Sequence, residues 1–155
     1  MTQTAAAVNV GQLIDQVHQR FADANLSYGH GTDNAWDEAV YLVLWITDSA
    51  DDESSLALSV SAEQVEVILE LSEQRVEQRM PLAYLLGRCQ FMGYEFLLEP
   101  GVVVPRSPIG YLLDGPELGW LPKQVRRILD LCSGSGCLGI VAAHRAPGVE
   151  NQIFV

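Results

Sequence analysis

The sequence has few cysteines and no long apolar run. Its 155 residues include three cysteines, Cys89, Cys132 and Cys137, and an odd number this small argues against a disulfide framework. The longest strongly apolar run, residues 40–46, is far shorter than the roughly 20 residues that span a bilayer. The first ten residues have neither the basic region nor the apolar segment of a secretory signal. We therefore expect a cytoplasmic protein with no membrane partner.

The pair Cys132 and Cys137 is a weak candidate for metal ligands. A structural zinc site normally takes four ligands with closer spacing within each pair. Only His144 lies nearby as a further ligand of the right type. We therefore predict no metal site.

Basic residues are scarce in the first half of the chain. Residues 1–80 carry fourteen acids and three bases, whereas residues 81–155 carry six of each, so the first half holds the whole net charge of −11. Such a surface repels nucleic acid and attracts basic partners. A second interpretation is that the charge only keeps the domain soluble.

The apolar residues of the first 87 positions recur at the helical period, which predicts a small helical bundle. The first helix covers residues 10–24. The second begins near Asn34, with Thr32 or Asp33 as its N-cap. One face of this second helix carries Trp36, Ala39, Val40, Val43, Leu44 and Thr47.

The third helix has the clearest start, because Ser61 and Gln64 have the spacing of a capping box. It ends at Met80, since the residue before a proline disfavours the α region. A short helix over residues 82–86 follows and closes on Gly87. The third helix is predicted to bury Val65, Ile68, Leu69, Ser72 and Val76, and to expose Glu63, Glu66, Glu70, Glu73 and Glu77.

Strand patterns replace the helical period after residue 87. Residues 89–91 and 94–98 flank Met92 and Gly93, which predicts a β-hairpin with glycine in its turn. Residues 102–104 predict a further strand, ended by Pro105. A short helix over residues 109–113 and a loop over residues 115–122 follow.

The last part of the chain predicts a βαβ unit. Residues 127–131 form a short apolar strand, residues 132–136 a loop of small residues, and residues 137–145 a helix. A second strand covers residues 151–155. This order opens a parallel α/β sheet.

The loop over residues 132–136 places backbone N–H groups at a helix N-terminus, where an anionic group is favoured. Gly134 and Gly136 let a ligand approach the backbone closely. The loop lacks the lysine of a P-loop and the spacing G-x-G-x-x-G, so by itself it predicts either a nucleotide-like cofactor or a tight βα turn. Asp130, at the end of the strand, either accepts hydrogen bonds from that cofactor or only caps the loop.

Several segments in order resemble signatures of the HemK-like glutamine methyltransferases. They are residues 81–87 with 91–96, Val104-Pro105-Arg106, and residues 128–137, which are similar to the family's first S-adenosylmethionine motif. The run Pro105-Arg106-Ser107-Pro108-Ile109-Gly110, together with Cys132, makes the chain resemble the PrmB branch, which modifies a glutamine of the third large-subunit ribosomal protein. Release-factor methyltransferases usually have Pro-Arg-Pro-Glu-Thr and a glycine at the position of Cys132. Tyr111 departs from the PrmB branch, where an acidic residue is usual.

The resemblance implies an α/β fold in three parts. These are a helical bundle that recognises the substrate (1–87), a β-hairpin linker (88–104), and the first βαβ unit of a Rossmann-like methyltransferase sheet (105–155). It also implies methyl transfer from S-adenosyl-L-methionine to a glutamine side-chain amide in a basic ribosomal protein. The cofactor-binding residues that it implies are Asp130, Cys132, Ser133, Gly134, Ser135, Gly136 and, near the pocket, Arg106.

The family's Asn-Pro-Pro-Tyr motif, which supplies hydrogen-bond acceptors for the reacting amide, does not occur in this sequence. We therefore predict no catalytic residue and expect an incomplete methyltransferase domain in an inactive fragment. Two alternatives to this expectation stay open. In the first, the chain is a non-catalytic acidic helical module that binds a basic protein. In the second, it is part of a DNA amino-methyltransferase. The acidic first half argues against DNA as a partner.

Overall fold

The computed structural model describes residues 8–114, 125–145 and 151–154. The chain divides into two compact units, Met1–Leu85 and Leu86–Val155, and each is described by itself. The predicted loop over residues 115–122 and the last residue of the predicted final strand lie outside the described residues. The predicted three-part division at residues 87 and 104 stays a prediction.

The first unit is helical, as predicted. Helix α1 contacts α2, α3 and a short 3-10 turn. An antiparallel bridge between Asn9 and Ser59 holds the residue before α1 beside the chain that leads into α3. The elements are α1 (Val10–Asp23), α2 (Ala35–Thr47), the 3-10 turn (Ser55–Ala57), α3 (Ala62–Gln78) and α4 (Leu82–Leu86).

Capping boxes set the starts of two helices. At α1 the Gln12 N–H donates to Asn9 Oδ1 at 2.9 Å, and the Asn9 N–H donates back to Gln12 Oε1 at 3.1 Å. At α3 the Gln64 N–H donates to Ser61 Oγ at 3.2 Å, with the reciprocal bond at 3.1 Å. The capping box predicted at Ser61 is confirmed, and the one at Asn9 went unpredicted.

Two predictions for α2 were wrong in detail. Asn34 is the N-cap rather than Thr32 or Asp33, because it is the Asn34 side chain that accepts the Asp37 N–H, at 2.9 Å. The predicted face is confirmed at Ala39 and Val43, which are buried, but it is wrong at Trp36, which is 46% exposed. The buried residues of α2 are Glu38, Ala39, Leu42 and Val43.

Helix α3 has the predicted stripe but ends early. Its last residue is Gln78 rather than Met80, because Arg79 adopts the left-handed conformation with φ 53°. Arg75, which was not predicted to be buried, is 2% exposed. In the predicted stripe Ile68 and Ser72 are buried and Val65, Leu69 and Val76 half-buried, while the five predicted glutamates are exposed.

A buried ion pair joins α2 to α3. Arg75 Nε donates to Glu38 Oε2 at 3.1 Å, and the two side chains are 3% and 5% exposed. The same guanidinium donates to the Ser27 carbonyl at 3.0 Å. Burial raises the pKa of the Glu38 carboxyl above its ordinary value, although Arg75 favours the ionised form. Loss of either partner would leave the other charge unpaired in the interior.

The other two arginines of this unit also bind backbone carbonyls. Arg20 Nη1 donates to the Leu69 carbonyl at 3.0 Å, and Arg79 donates to the Asn25 and Ala24 carbonyls at 3.2 Å. All three bases of residues 1–80 therefore connect segments of the bundle. Apart from Glu38, the acids of these residues, thirteen in number, are exposed, so the surface of this unit is strongly negative.

The second unit begins with the predicted hairpin. Strand β1 (Arg88–Phe91) pairs antiparallel with β2 (Tyr94–Leu97), with Phe91 opposite Tyr94. The turn residues Met92 and Gly93 both have positive φ, at 50° and 82°. Positive φ at both positions is the requirement of a type I′ turn, which suits the twist of a hairpin.

Residues 102–104 do not form the predicted strand. The Val102 N–H donates to the Glu99 carbonyl at 3.1 Å, which makes a turn. Pro105 follows, and a proline has no N–H with which to continue a strand ladder. Helix α5 (Pro108–Asp114) comes next and includes the predicted helix over residues 109–113.

The end of the chain has the predicted order of strand, helix and strand. Strand β3 (Arg127–Asp130) pairs in parallel with β4 (Asn151–Phe154), and α6 (Cys137–Arg145) connects them. Strand β3 ends one residue before the predicted limit. Helix α6 contacts both strands. The chain is therefore a mixed protein of helices and small sheets.

The hairpin packs against α5 and α6. A Cβ atom on Gly110 of α5 would lie 2.6 Å from Phe91 Cζ and 2.9 Å from Met92 Cγ, so α5 touches the hairpin turn through a position that only glycine fills without displacement. The rings of Tyr94 and His144 stack with centroids 4.9 Å apart.

Within residues 8–114, 125–145 and 151–154, no helix combines the length and apolar character of a membrane crossing.

Replacing Glu38 with alanine is expected to lower the free energy of unfolding by roughly 3–5 kcal/mol, because Arg75 keeps a buried charge without its carboxylate. The control is Glu95→Ala, which breaks the exposed 3.0 Å pair with Arg88, where both side chains are 42% exposed. That change should cost about 0–1 kcal/mol. Equilibrium unfolding in urea measures both, and equal losses would contradict the role given to the buried pair.

Replacing Gly110 with alanine is expected to lower the free energy of unfolding by about 1–3 kcal/mol, because the new methyl group overlaps the Phe91 ring. Alanine otherwise favours a helix by about 1 kcal/mol over glycine, so the sign of the change is informative. Tyr111→Ala, at a side chain that is 75% exposed, is the control in the same helix. Calorimetry that finds Gly110→Ala more stable than the unaltered chain would refute the tight contact.

Candidate cofactor-binding loop

Asp130 connects the end of β3 to the start of α6. Its Oδ2 accepts the Gly139 N–H at 3.0 Å. Gly139 is the third residue of α6, and the first N–H groups of a helix have no carbonyl acceptor within it. The carboxylate therefore completes the first turn of α6 and also complements the positive end of the helix dipole.

The predicted site residues Cys132, Ser133, Gly134, Ser135 and Gly136 form one compact loop between β3 and α6. Three of them have positive φ: 58° at Cys132, 55° at Gly134 and 74° at Gly136. The Gly136 N–H donates to the Ser133 carbonyl at 2.8 Å, which closes the turn. A left-handed conformation costs a residue with a side chain roughly 1–2 kcal/mol, so the backbone at Cys132 is strained.

The loop is open on one side. Cys132 and Gly134 are exposed, whereas Gly136 is buried against the start of the helix. A Cβ atom on Gly134 would meet nothing within 4 Å, so there is room for a ligand to approach the backbone there. By helix geometry the N–H groups of Cys137 and Leu138 have no acceptor inside α6. An anionic group bound at these two N–H groups would be favoured by the positive end of the helix dipole.

The structure supports the capping interpretation of Asp130 and leaves room for the other. A carboxylate offers about four lone-pair sites, so one hydrogen bond to Gly139 leaves acceptors for a ligand amine or hydroxyl. Arg106, the remaining predicted site residue, is exposed and lies outside the loop, two residues before α5. Helix α5 contacts α6. The cofactor roles of Asp130, the loop and Arg106 stay predictions.

The three cysteines have different surroundings. Cys132 is exposed, and Cys89 and Cys137 are buried. Burial raises the pKa of the Cys89 thiol to about 11, with the nearby Cys137 thiol as a smaller cause. The Cys89 thiol thus acts as an apolar packing group at neutral pH. In the described part of the chain, no group of three or more His, Cys, Asp or Glu residues is placed to hold a metal ion.

Two signals in the sequence were not used in our predictions. Gly110 lies inside the segment that resembles the family, but no role was assigned to it. Glu38 lies one turn before Leu42 on α2, and Arg75 lies one turn after Ser72 on α3. Charged residues at such core positions signal a buried pair when each helix contributes one of opposite sign.

Asp130→Ala is expected to lower the free energy of unfolding by about 0.5–2 kcal/mol, the range for loss of a helix-capping side chain. Hydrogen exchange at the Gly139 amide should become faster. Asp130→Asn keeps an oxygen acceptor and should lose less. The control is Glu99→Ala, an exposed acid in the same unit. Exchange measured by nuclear magnetic resonance checks this, and an unchanged Gly139 rate in Asp130→Ala would contradict it.

No protein-family model matches the chain, but curated proteins do. It is 44% identical over 139 residues to the ribosomal protein uL3 glutamine methyltransferase of Bordetella pertussis, which covers 87% of this chain and 47% of that protein. The proteins of the same name from Burkholderia pseudomallei and Xanthomonas campestris are each 40% identical, over 145 and 150 residues. The matched residues make up 91% and 92% of this chain, and 47% and 48% of the two relatives.

The chain thus spans about half the length of the curated relatives it matches. The matched part is the N-terminal part of each relative. All three relatives are 40–44% identical to this chain over about nine-tenths of its length. Through this shared part, the chain is homologous to the N-terminal part of the ribosomal protein uL3 glutamine methyltransferases.

Proposed function

We propose that this chain is the cofactor-binding half of a methyltransferase that acts on a glutamine side-chain amide of a large-subunit ribosomal protein. The observation that carries the proposal is the open loop between β3 and α6 in a chain whose relatives are named for this reaction. The loop presents a helix N-terminus, a carboxylate and an exposed glycine at one place. These groups suit a small ligand that carries both an anionic and a cationic end.

S-Adenosyl-L-methionine fits this arrangement, because its methionine end carries a carboxylate and an amine. The N–H groups at the start of α6 suit the carboxylate. The acceptors of Asp130 that Gly139 does not use suit the amine. Gly134 would let the ligand lie against the backbone. When bound, the cofactor supplies an electrophilic methyl group, and the residues of this chain bind and orient it.

The transfer itself requires more than the cofactor loop. An amide nitrogen is delocalised and weakly basic, so it must be held in line with the methyl group. Hydrogen-bond acceptors must also stabilise the charge that develops on it. The Asn-Pro-Pro-Tyr segment to which the resemblance assigns this role is absent from the sequence. We propose that the chain alone binds the cofactor without transferring the methyl group.

The first unit suits the recognition of a basic substrate. Its three arginines bind carbonyls inside the bundle, and thirteen of its fourteen acids are exposed. An uncompensated negative surface of this kind raises the rate of encounter with a basic protein and repels nucleic acid. We propose a basic ribosomal protein as the partner, met in the cytoplasm. In the same account β3, α6 and β4 are the first unit of a Rossmann-like sheet.

The Gly134→Val variant is expected to bind S-adenosyl-L-methionine with about tenfold or greater loss of affinity, because a branched side chain would fill the open side of the loop. Gly101→Val is the matched control. Both glycines have positive φ, 55° and 95°, and at both a Cβ atom would meet nothing within 4 Å. The control therefore imposes the same kind of backbone strain away from the loop.

Equilibrium dialysis with labelled cofactor gives the three dissociation constants. No binding by the unaltered chain, or equal losses in the two variants, would overturn the assignment of the loop. Absence of binding by the unaltered chain would favour the alternative of a non-catalytic acidic module, which has no need of the cofactor.

A further inference from the structure

Helix α2 carries more apolar side chains than the first unit buries. Ten of its thirteen residues are apolar or aromatic, but only Ala39, Leu42 and Val43 of these ten are buried. A helix that is apolar on all sides is normally buried on all sides. The outward side of α2 therefore has the composition of a covered surface.

Three of the remaining apolar residues lie in one row. Trp36, Val40 and Leu44 are spaced four residues apart, which places them on the same side of the helix. Trp36 is 46% exposed, and Val40 and Leu44 are half-buried. The ring of His18 on α1 meets the Trp36 ring nearly at a right angle, with centroids 5.2 Å apart. This contact holds the indole in place and leaves much of it open. We refer to Trp36, Val40 and Leu44 together as the α2 outer face.

Acids flank the α2 outer face at both ends. Asp37 is exposed at the start of the helix, and Asp48 and Asp51 are exposed just beyond its end. The C-terminal end of a helix carries a partial negative charge, so acids there add to it instead of compensating it. No basic residue lies in the last turn of α2. The potential around this end of the helix is therefore strongly negative.

The first unit has no base of its own with which to neutralise these acids. Its three arginines donate to backbone carbonyls inside the bundle, and residues 1–80 contain no lysine. The charge that complements this surface must come from a partner. An exposed tryptophan suits the same partner, because an indole ring attracts a lysine or arginine side chain placed over its face.

We propose that the α2 outer face, with the acids at its two ends, is the docking surface for a segment of a basic protein that carries apolar side chains flanked by lysine or arginine. The inference rests on the proposed function, because the occupant is the basic ribosomal protein substrate. It adds which surface of the first unit that substrate contacts. A second copy of this chain is a poorer occupant, because each copy has a net charge of −11 and the two would repel.

The test is calorimetric titration of the full chain with ribosomal protein uL3, without cofactor. We expect binding that weakens as salt is added. Trp36→Ala should raise the dissociation constant about tenfold or more, since a tryptophan at the centre of an interface commonly dominates its affinity. A second variant combines Asp48→Asn with Asp51→Asn and should raise it about fivefold, with a weaker dependence on salt. Asparagine tolerates the left-handed conformation of position 48, where φ is 51°.

The matched control is Glu70→Gln with Glu73→Gln on α3. It removes the same two negative charges from exposed positions of the same unit, and it should change the dissociation constant by less than about twofold. Circular dichroism gives the unfolding midpoint of each variant. If Trp36→Ala lowers the midpoint through loss of the His18 contact, the comparison of the two charge variants decides.

Three results would overturn the proposal. They are no binding of uL3 by the unaltered chain, equal weakening by the α2 and α3 charge variants, and a homodimer of the chain that Trp36→Ala abolishes. The last would make a second copy the occupant. Dialysis with labelled cofactor tests the proposed function separately. Loss of uL3 binding in a variant that still binds the cofactor is the expected pattern, and a chain that binds uL3 through α2 but never binds the cofactor would refute only the cofactor role.

Discussion

The hydrogen bond from Gly139 to Asp130 is the constraint on which the second unit depends. It fixes where β3 ends, where α6 begins and which face of the strand the helix covers. The six residues between them must then turn the chain within a short span, and three of them do so with positive φ. The resulting loop is open over Gly134, where a Cβ atom would meet nothing within 4 Å. A single carboxylate thus helps to position the candidate ligand site.

The two units rely on different physical effects. In the first, three arginines donate to backbone carbonyls of other segments and hold the helices together, while thirteen of the fourteen acids are exposed. In the second, the site is made of backbone: N–H groups, positive φ and the absence of side chains at glycine. Cys132 shows the distinction, because its left-handed conformation is one that glycine adopts without cost. Release-factor methyltransferases, by the resemblance above, usually have glycine there.

Local sequence signals predicted most of the fold. Helical periodicity, the capping box at Ser61 and the glycine turn at Gly93 depend on neighbours within a few residues, and the structure confirms them. The predicted strand at residues 102–104 failed because valines favour a strand only where a partner strand is available. The pair of Glu38 and Arg75 was missed because it joins residues 37 apart in sequence. The loop could be located from sequence, but the Asp130 contact with Gly139 and the open space over Gly134 required coordinates.

The most direct test of the account is a chimera in which this chain is fused to the part of the Bordetella pertussis relative beyond the match. After incubation with ribosomal protein uL3 and S-adenosyl-L-methionine, mass spectrometry of uL3 should show one added methyl group on a glutamine. The same chimera with Gly134→Val should leave uL3 unmodified. A folded chimera that binds the cofactor yet never methylates uL3 would contradict the account.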